Sequence, residues 1–252
     1  MTPNHETKTT MLIDTHVHLD QIESVERAIQ TARQTDIRAI IAVGMNLASN
    51  RKILELADQF DGMVYPAVGY HPWSVTADEA DASIKFIENK LDNSVALGEV
   101  GLDYKVKVKK PLQREVFSRL LQLAKNKKKP VIVHSRLSHS RTYRMVAESG
   151  VEKAVFHWYS GPLDILDRIL ADGFWVSATP ALAYSSPHRA AIARAPLERI
   201  LIETDAPVKY RDHISEPADL RITLRELSHL KNIPENKLAF ITTENARKFF
   251  GI

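Results

Sequence analysis

Short β-branched, apolar runs alternate with longer amphipathic segments from one end of the chain to the other. The runs at 11–16, 38–43, 64–70, 95–99, 130–134, 154–157, 174–178 and 199–204 have the length and Val/Ile content of buried strands. Between them, 21–35, 46–60, 79–91, 112–127 and 163–172 are of helix length. In the fourth of these, Leu112, Val116, Leu120, Leu121, Leu123 and Ala124 recur at near-helical spacing. Pro111 just ahead of them suits a first helical turn. Residues 218–250 read as two closing helices, with Pro234 starting the second. Strand–helix alternation predicts a parallel α/β sheet with right-handed crossovers. Eight units of roughly thirty residues match a closed (β/α)8 TIM barrel better than an open sheet. An open doubly wound sheet would bring a Gly-rich turn after its first strand; here that place holds Asp14-Thr15-His16-Val17-His18. No repeat, low-complexity stretch or Gly/Ser linker divides the chain. One barrel domain is expected over 11–252, preceded by a flexible N-terminal tail at 1–10.

Composition narrows this picture only a little. Hydrophobic content of 44% and charged content of 26% are ordinary for a soluble globular protein. With no cysteine, disulfides, Cys-based zinc sites and a thiol nucleophile are excluded. Residues 1–10 lack the apolar centre of a signal peptide, and no apolar run approaches the roughly 20 residues that cross a bilayer. A cytoplasmic location away from membranes is the expectation. The formal charge of +3 permits a phosphate-bearing substrate without requiring one. Nothing in the sequence calls for an obligatory protein partner.

The chemistry lies in where the histidines fall. His16 and His18 follow the first predicted strand, His71 the third, His134 the fifth and His157 the sixth; Glu99 ends the fourth and Asp205 follows the eighth. His139, His188 and His229 fall in helical or loop stretches with no such pattern. A single His at a strand end is more often a hydrogen-bonded rim residue than a ligand. His16-Val17-His18 is a better signal, because period-two alternation puts both rings on one face. The joint pattern decides. The C-terminal ends of barrel strands converge on one mouth, where active sites are built. Four imidazoles and two carboxylates gathered there would be costly to bury unless cations neutralised the carboxylates and used the imidazoles. Such a set provides enough ligands for two cations if the Glu bridges.

Seven segments carry a resemblance. Ile13-Asp14-Thr15-His16-Val17-His18-Leu19-Asp20, Gly69-Tyr70-His71-Pro72 and Gly98-Glu99-Val100-Gly101-Leu102-Asp103-Tyr104 resemble the TatD family of metal-dependent deoxyribonucleases. So do Val133-His134-Ser135-Arg136, Phe156-His157-Trp158-Tyr159-Ser160-Gly161, Glu203-Thr204-Asp205-Ala206-Pro207 and the closing Asn245-Ala246-Arg247-Lys248-Phe249-Phe250. They occur in order over nearly the whole chain. The resemblance implies a barrel of the amidohydrolase superfamily with two divalent cations. His16, His18 and Asp205 would hold one, His134 and His157 the other, and Glu99 would bridge. Glu99 stands where related hydrolases carry a carboxylated lysine, which points away from the dihydroorotase-like branch. Three stretches depart from the family's usual pattern, all in loops. Arg136 is followed by Leu137-Ser138 in place of Asp-Ala. Tyr210-Arg211-Asp212-His213-Ile214-Ser215-Glu216-Pro217 replaces an Arg-Gly-Lys-Arg-Asn-Glu-Pro-like run. Lys105-Val106-Lys107-Val108-Lys109-Lys110 is unusually basic.

The expected activity is hydrolysis of phosphate esters in DNA by a metal-activated water. Catalytic roles fall to Asp205, as general base and orienter, and to Glu99. His71 and Arg136 are the expected contacts to substrate phosphate oxygens, Arg136 through its planar fork. Imidazole-rich coordination suits Zn2+, while Mg2+ or Mn2+ are the expected activators. Lys105, Lys107, Lys109 and Lys110 could track a nucleic-acid backbone or form a solvated loop; Lys125 to Lys129, at the opposite end of the barrel, read as surface charge. Trp73, Tyr104 and Trp158 could stack on bases or pack at the rim. The alternatives are a hydrolase of small amides or lactones on the same barrel, and a non-catalytic metal-binding barrel.

Overall fold

A computed structural model describes residues 11–252; the flexible tail expected at 1–10 lies outside the described residues. Eight strands form one parallel sheet in sequence order: β1 Leu12–Val17, β2 Ile37–Val43, β3 Val64–Val68, β4 Ala96–Asp103, β5 Val131–Arg136, β6 Ala154–Phe156, β7 Trp175–Ala178 and β8 Ile200–Ile202. The helices are α1 Val25–Gln34, α2 Leu47–Gln59, α3 Ala80–Lys90, α4 Lys110–Lys127, α5 His139–Ser149, α6 Leu163–Ala171, α7 Ser186–Arg194, α8 Leu220–Lys231 and α9 Glu235–Phe250. Pro111 lies in the first turn of α4 and Pro234 caps α9, as their sequence positions predict. A small hairpin, β9 Lys209–Tyr210 with β10 His213–Ile214, stands on the loop after β8.

The barrel is drawn closed between β1 and the segment following β8. Val17 bridges Ala206 in parallel. The His18 N–H donates to the Ala206 carbonyl at 2.8 Å, and the Asp205 N–H donates to the His16 carbonyl at 2.9 Å. Beneath this, the buried Asp14 carboxylate accepts from the Thr204 amide (3.0 Å) and hydroxyl (2.6 Å). The seam therefore sets His16 and His18 beside Asp205.

The interior of the barrel changes character along its axis. Ile13, Ile41, Ile132, Val155, Trp175 and Leu201 fill the lower layers, and Ala246, Phe249 and Phe250 of α9 close the base. Because side chains alternate along a strand, the next inward positions on the same strands are His134 above Ile132, His157 above Val155, and Glu203 above Leu201. A second, larger apolar belt packs the outer faces of the strands against the helices.

Two irregularities bring ligand-type side chains inward. The β1–β2 register shifts between Asp14 and Val17, and the β4–β5 register shifts between Leu97 and Val100. In β4 both Leu97 and Val100 lie in the outer belt, so the irregularity leaves Glu99 facing in. A bulge next to a site, re-aiming one side chain, is a recurrent device. Gly69 makes room for it: a Cβ there would lie 2.3 Å from the Gly98 carbonyl carbon and 2.4 Å from the Glu99 nitrogen. Buried Asn50 of α2 fixes Gly69, its amide nitrogen donating to the Gly69 carbonyl (2.7 Å) and its oxygen accepting from the Gly69 N–H (2.9 Å).

All eight predicted strands are present. β4 runs four residues beyond its predicted end, because Gly98 and Gly101 interrupt the apolar pattern without interrupting the strand. Helices α5 and α7 complete the eight strand–helix units that the alternation predicts, though no bounds were predicted for them. Thr142 and Val146 of α5 and His188, Ala191 and Ile192 of α7 are their buried positions. We expect Gly69→Ala to lower stability in urea unfolding by about 1–3 kcal/mol through overpacking, and to displace Glu99. Full stability in that variant would show that the β3–β4 contact is not tight.

Candidate metal centre

Glu99 sits at the hub of the mouth, 2% exposed, and its two oxygens face different partners. Oε1 lies 2.7 Å from His134 Nδ1, 2.8 Å from His157 Nε2 and 3.5 Å from His71 Nε2. Oε2 lies 3.3 Å from His16 Nε2 and 3.6 Å from His18 Nε2. Asp205 Oδ1 approaches the same two rings, at 3.5 and 3.4 Å. The six residues expected to bind metal, together with His71, thus share one buried cluster. Among the described residues, His16, His18 and Asp205 form one group with the spacing to hold an ion; His71, Glu99 and His134 form another; His16, His157 and Glu203 a third.

The outward nitrogens of these rings decide which are free to ligate. His18 Nδ1 meets the Val43 carbonyl at 3.2 Å, His134 Nε2 meets Asp103 Oδ2 at 3.1 Å, and His157 Nδ1 meets Glu203 Oε1 at 3.2 Å. Each of these partners takes an N–H, so that in the neutral ring the nitrogen facing Glu99 is the one with a lone pair for a metal. His71 is wired the opposite way. Its Nδ1 accepts the Trp73 backbone N–H at 3.1 Å, so in the neutral ring Nε2 carries the proton and points at the cluster as a donor. Burial, reinforced by the neighbouring His134 and His18, pushes the His71 pKa down to about 4. Spacing admits His71 to a metal group; its tautomer makes it a hydrogen-bond donor.

Two residues behind the cluster carry roles that sequence reasoning did not assign. Asp103, at the end of β4, accepts from the Trp73 indole N–H (2.6 Å) and the Lys105 amide (2.8 Å) while holding His134. Buried Gln113 of α4 clamps its backbone at 2.9 and 2.8 Å. Glu203 holds His157 and also accepts the Trp158 amide at 3.2 Å. Both lie inside the quoted segments, two to four residues from a ligand-type side chain. That proximity was the available signal.

Charge in the cluster is strongly coupled. Burial opposes ionisation of Glu99, but His157, His71 and His16, with the His134 hydrogen bond, hold its carboxyl well below the usual range. Burial likewise opposes a proton on His18, yet the Asp205 hydrogen bond and charge, with Glu99, push its pKa up to about 9. His134 is raised against its burial by Asp103 and Glu99, and His157 by Glu99 and Glu203. Protons on imidazoles thus balance the carboxylates. A divalent cation can replace them, and the donor set fits one: four imidazoles and two carboxylates, with buried Asp205 Oδ1 3.5 and 3.4 Å from His16 and His18 Nε2.

Above the cluster opens a cavity of about 460 Å³ lined by Trp73, Trp158, Tyr184 and Arg136 as well as by the cluster. Asp205 itself lies in the left-handed region, at φ +54°, a conformation that a short polar side chain tolerates better than most. Leu137 (φ +53°) and Trp158 (φ +42°) share it, directly after Arg136 and His157. His188, unassigned in the sequence, is a satisfied core residue: Nδ1 meets the Tyr159 carbonyl at 2.8 Å and Nε2 accepts the Thr179 amide at 3.2 Å.

Residues 13–251 match the family model described as TatD related DNase. The chain belongs to this family. It is 30% identical over 258 residues to human deoxyribonuclease TATDN3, covering 95% of this chain and 94% of that one. It is 28% identical to YabD of Bacillus subtilis, an uncharacterized metal-dependent hydrolase, covering 96% and 100%. The crystal structure of YJJV, a TatD homolog from Escherichia coli, superposes with a TM-score of 0.88 at 26% identity, covering 97% and 99%. The chain is accordingly a TatD-family metal-dependent hydrolase. Among the described residues, no helix is long and apolar enough to cross a membrane.

Two measurements probe the centre. Asp103→Ala should weaken Mn2+ or Zn2+ binding about 10- to 100-fold in titration calorimetry, the usual effect of removing a ligand's outer partner; unchanged affinity would mean that Asp103 does not orient His134. Metal affinity should also weaken as the pH is lowered. The His18 proton persists up to about pH 9, so below that pH each displaced proton costs about tenfold in affinity per unit. A pH-independent affinity between 6 and 9 would contradict this.

Proposed function

We propose that this TatD-family hydrolase is a deoxyribonuclease that cleaves phosphate ester bonds in DNA, with two divalent cations held by the Glu99 cluster. The observation that carries the reading is the division of the Glu99 carboxylate, one oxygen toward His134 and His157, the other toward His16 and His18 beside Asp205. That division suits a bridging ligand. His16, His18 and Asp205 would hold one ion, His134 and His157 the second. When bound, such ions supply hydroxide at neutral pH and a Lewis acid for phosphoryl oxygens.

The chain's own residues do the rest. Buried Asp205, whose Oδ1 faces the His16 and His18 rings, accepts the proton of the attacking water and keeps it oriented. His71 Nε2–H, neutral because its pKa is pushed down to about 4, donates to a phosphate oxygen. Arg136 at the cavity rim offers a charged fork to the same group. Trp73 and Trp158 present aromatic faces to a base next to the scissile phosphate. The name of the human relative supports DNA as the substrate class. Arg136 at the rim suits an anionic phosphate ester better than a neutral amide or lactone.

The reading is tested on 3′- and 5′-labelled single- and double-stranded DNA, with nitrophenyl phosphates and lactones run in parallel. Chelator should abolish DNA cleavage, and Mg2+, Mn2+ or Zn2+ should restore it. Lactone turnover without DNA cleavage would move the protein to the rival class, and inactivity with every metal would favour the non-catalytic one. Asp205→Asn should lower kcat by about 100- to 10,000-fold with metal still bound; normal turnover in that variant would remove the role given to Asp205.

A further inference from the structure

Net positive charge is concentrated in one stretch of this barrel. Residues 105–144, running from the loop after β4 through α4 and β5 into α5, hold thirteen Lys and Arg and a single acidic residue, Glu115. The other 212 residues hold 21 Lys and Arg against 30 Asp and Glu. A nearly neutral chain therefore carries +12 on one sector and −9 on the remainder, with His neutral.

Position separates these side chains into two sets. Barrel helices run back against the strands, so α4 and α5 begin at the mouth and end at the base. At the base, Lys127 is paired with Asp92 at 2.5 Å. Lys129 donates to the Asp92 and Ser94 carbonyls at 3.1 and 2.6 Å. These lysines tie the end of α4 to the turn ahead of β4. At the mouth, Lys105, Lys107, Lys109 and Lys110 are all exposed, and Lys110 lies 4.7 Å from the centre of the Tyr104 ring. Arg136, Arg141 and Arg144 continue the surface on β5 and the first turns of α5, also exposed. Of the thirteen, only Arg119 and Lys127 form ion pairs among the described residues.

The mouth set is continuous with the site. Arg136 lines the cavity above Glu99. Trp73, 49% exposed, is hydrogen-bonded to Asp103, two residues before Lys105. A basic track beside an exposed aromatic ring is the arrangement that binds single strands, with cations following phosphates and rings taking bases. A cavity of about 460 Å³ is the size of a small-ligand pocket and admits an unpaired nucleotide rather than a duplex.

We infer that the mouth half of the β4–α5 sector, Lys105 to Lys110 with Arg136, Arg141 and Arg144, is the track along which the sugar–phosphate backbone of one nucleic-acid strand leaves the catalytic cavity. This rests on the deoxyribonuclease reading and adds to it a direction of exit and a dependence on strand length.

The test is fluorescence anisotropy on the metal-loaded protein with phosphorothioate oligothymidylates of about four and about sixteen nucleotides, over a salt series. Single strands release counterions with a slope of about −0.7 per phosphate neutralised. The K105Q/K107Q/K109Q protein should therefore lose about 2 from the long-strand salt slope and about tenfold in affinity at low salt. The short strand should change by less than twofold. K125Q/K128Q, at the base, should match the unaltered protein with both. Equal slopes and affinities for the mouth variant and the unaltered protein would overturn the track, as would tighter binding of a duplex of equal length. If the protein cleaves DNA but the mouth variant binds normally, the track fails and the deoxyribonuclease reading stands. If it cleaves no DNA with any metal yet the mouth variant loses long-strand binding, the reading fails and the strand-binding surface stands.

Discussion

A carboxylate buried among five imidazoles sets the terms for the structure around it. Glu99 has almost no access to water, and an unpaired charge in such a place is costly enough that a protein ordinarily neutralises it. Neutralisation by protonating Glu99 is opposed by every ring around it, which leaves positive charge as the solution. Protons are one source of it, since the neighbouring carboxylates raise the basicity of His18, His134 and His157. Divalent cations are the alternative that the family's chemistry uses. The β4 irregularity, the glycine at 69 and the Asn50 clamp all serve to bring this one carboxylate to the axis.

Closure of the barrel supplies the other half of the arrangement. His16 and His18 belong to the first strand and Asp205 follows the last, nearly two hundred residues later. They become neighbours because Asp14, Val17 and His18 bond across the seam to Thr204 and Ala206. One consequence is that seam stability and site geometry are not separable: a change that loosens Asp14 from Thr204 also moves Asp205 relative to two rings. The outward hydrogen bonds act at a finer scale. They fix tautomers, and this separates rings that distance alone groups together, His71 from His134 being the clearest case.

Much of this was legible in the sequence, for identifiable reasons. Strands buried on both faces are written as continuous apolar runs, so all eight could be read, and ligand-type residues at their ends followed from barrel topology. What sequence could not provide was the inward turn of Glu99, since strict alternation from Ala96 would have placed it on the outer face; only the register shift brings it in. Helices α5 and α7 were implied by the eight strand–helix units but not bounded. Asp103 and Glu203 were in view but unassigned, because an outer hydrogen-bond partner differs from any buried acid only in what its oxygens touch. The tautomer of His71 rests on a backbone amide two residues away, which no residue pattern encodes.

The two concentrations of charge in this molecule respond to solution conditions differently, and that difference follows from burial. The Glu99 cluster lies inside the barrel, where mobile ions do not penetrate and screening is weak. The lysines after β4 and the arginines of α5 stand in water, where the field between exposed charges decays within about 8 Å at physiological ionic strength. Salt therefore acts on the second and spares the first. A reaction confined to the cavity depends on the buried set alone, while capture of a long polyanion draws on both. Ionic strength thus divides the molecule into a buried set of charges that it does not reach and an exposed set that it does, and the division falls along the rim where Arg136 stands.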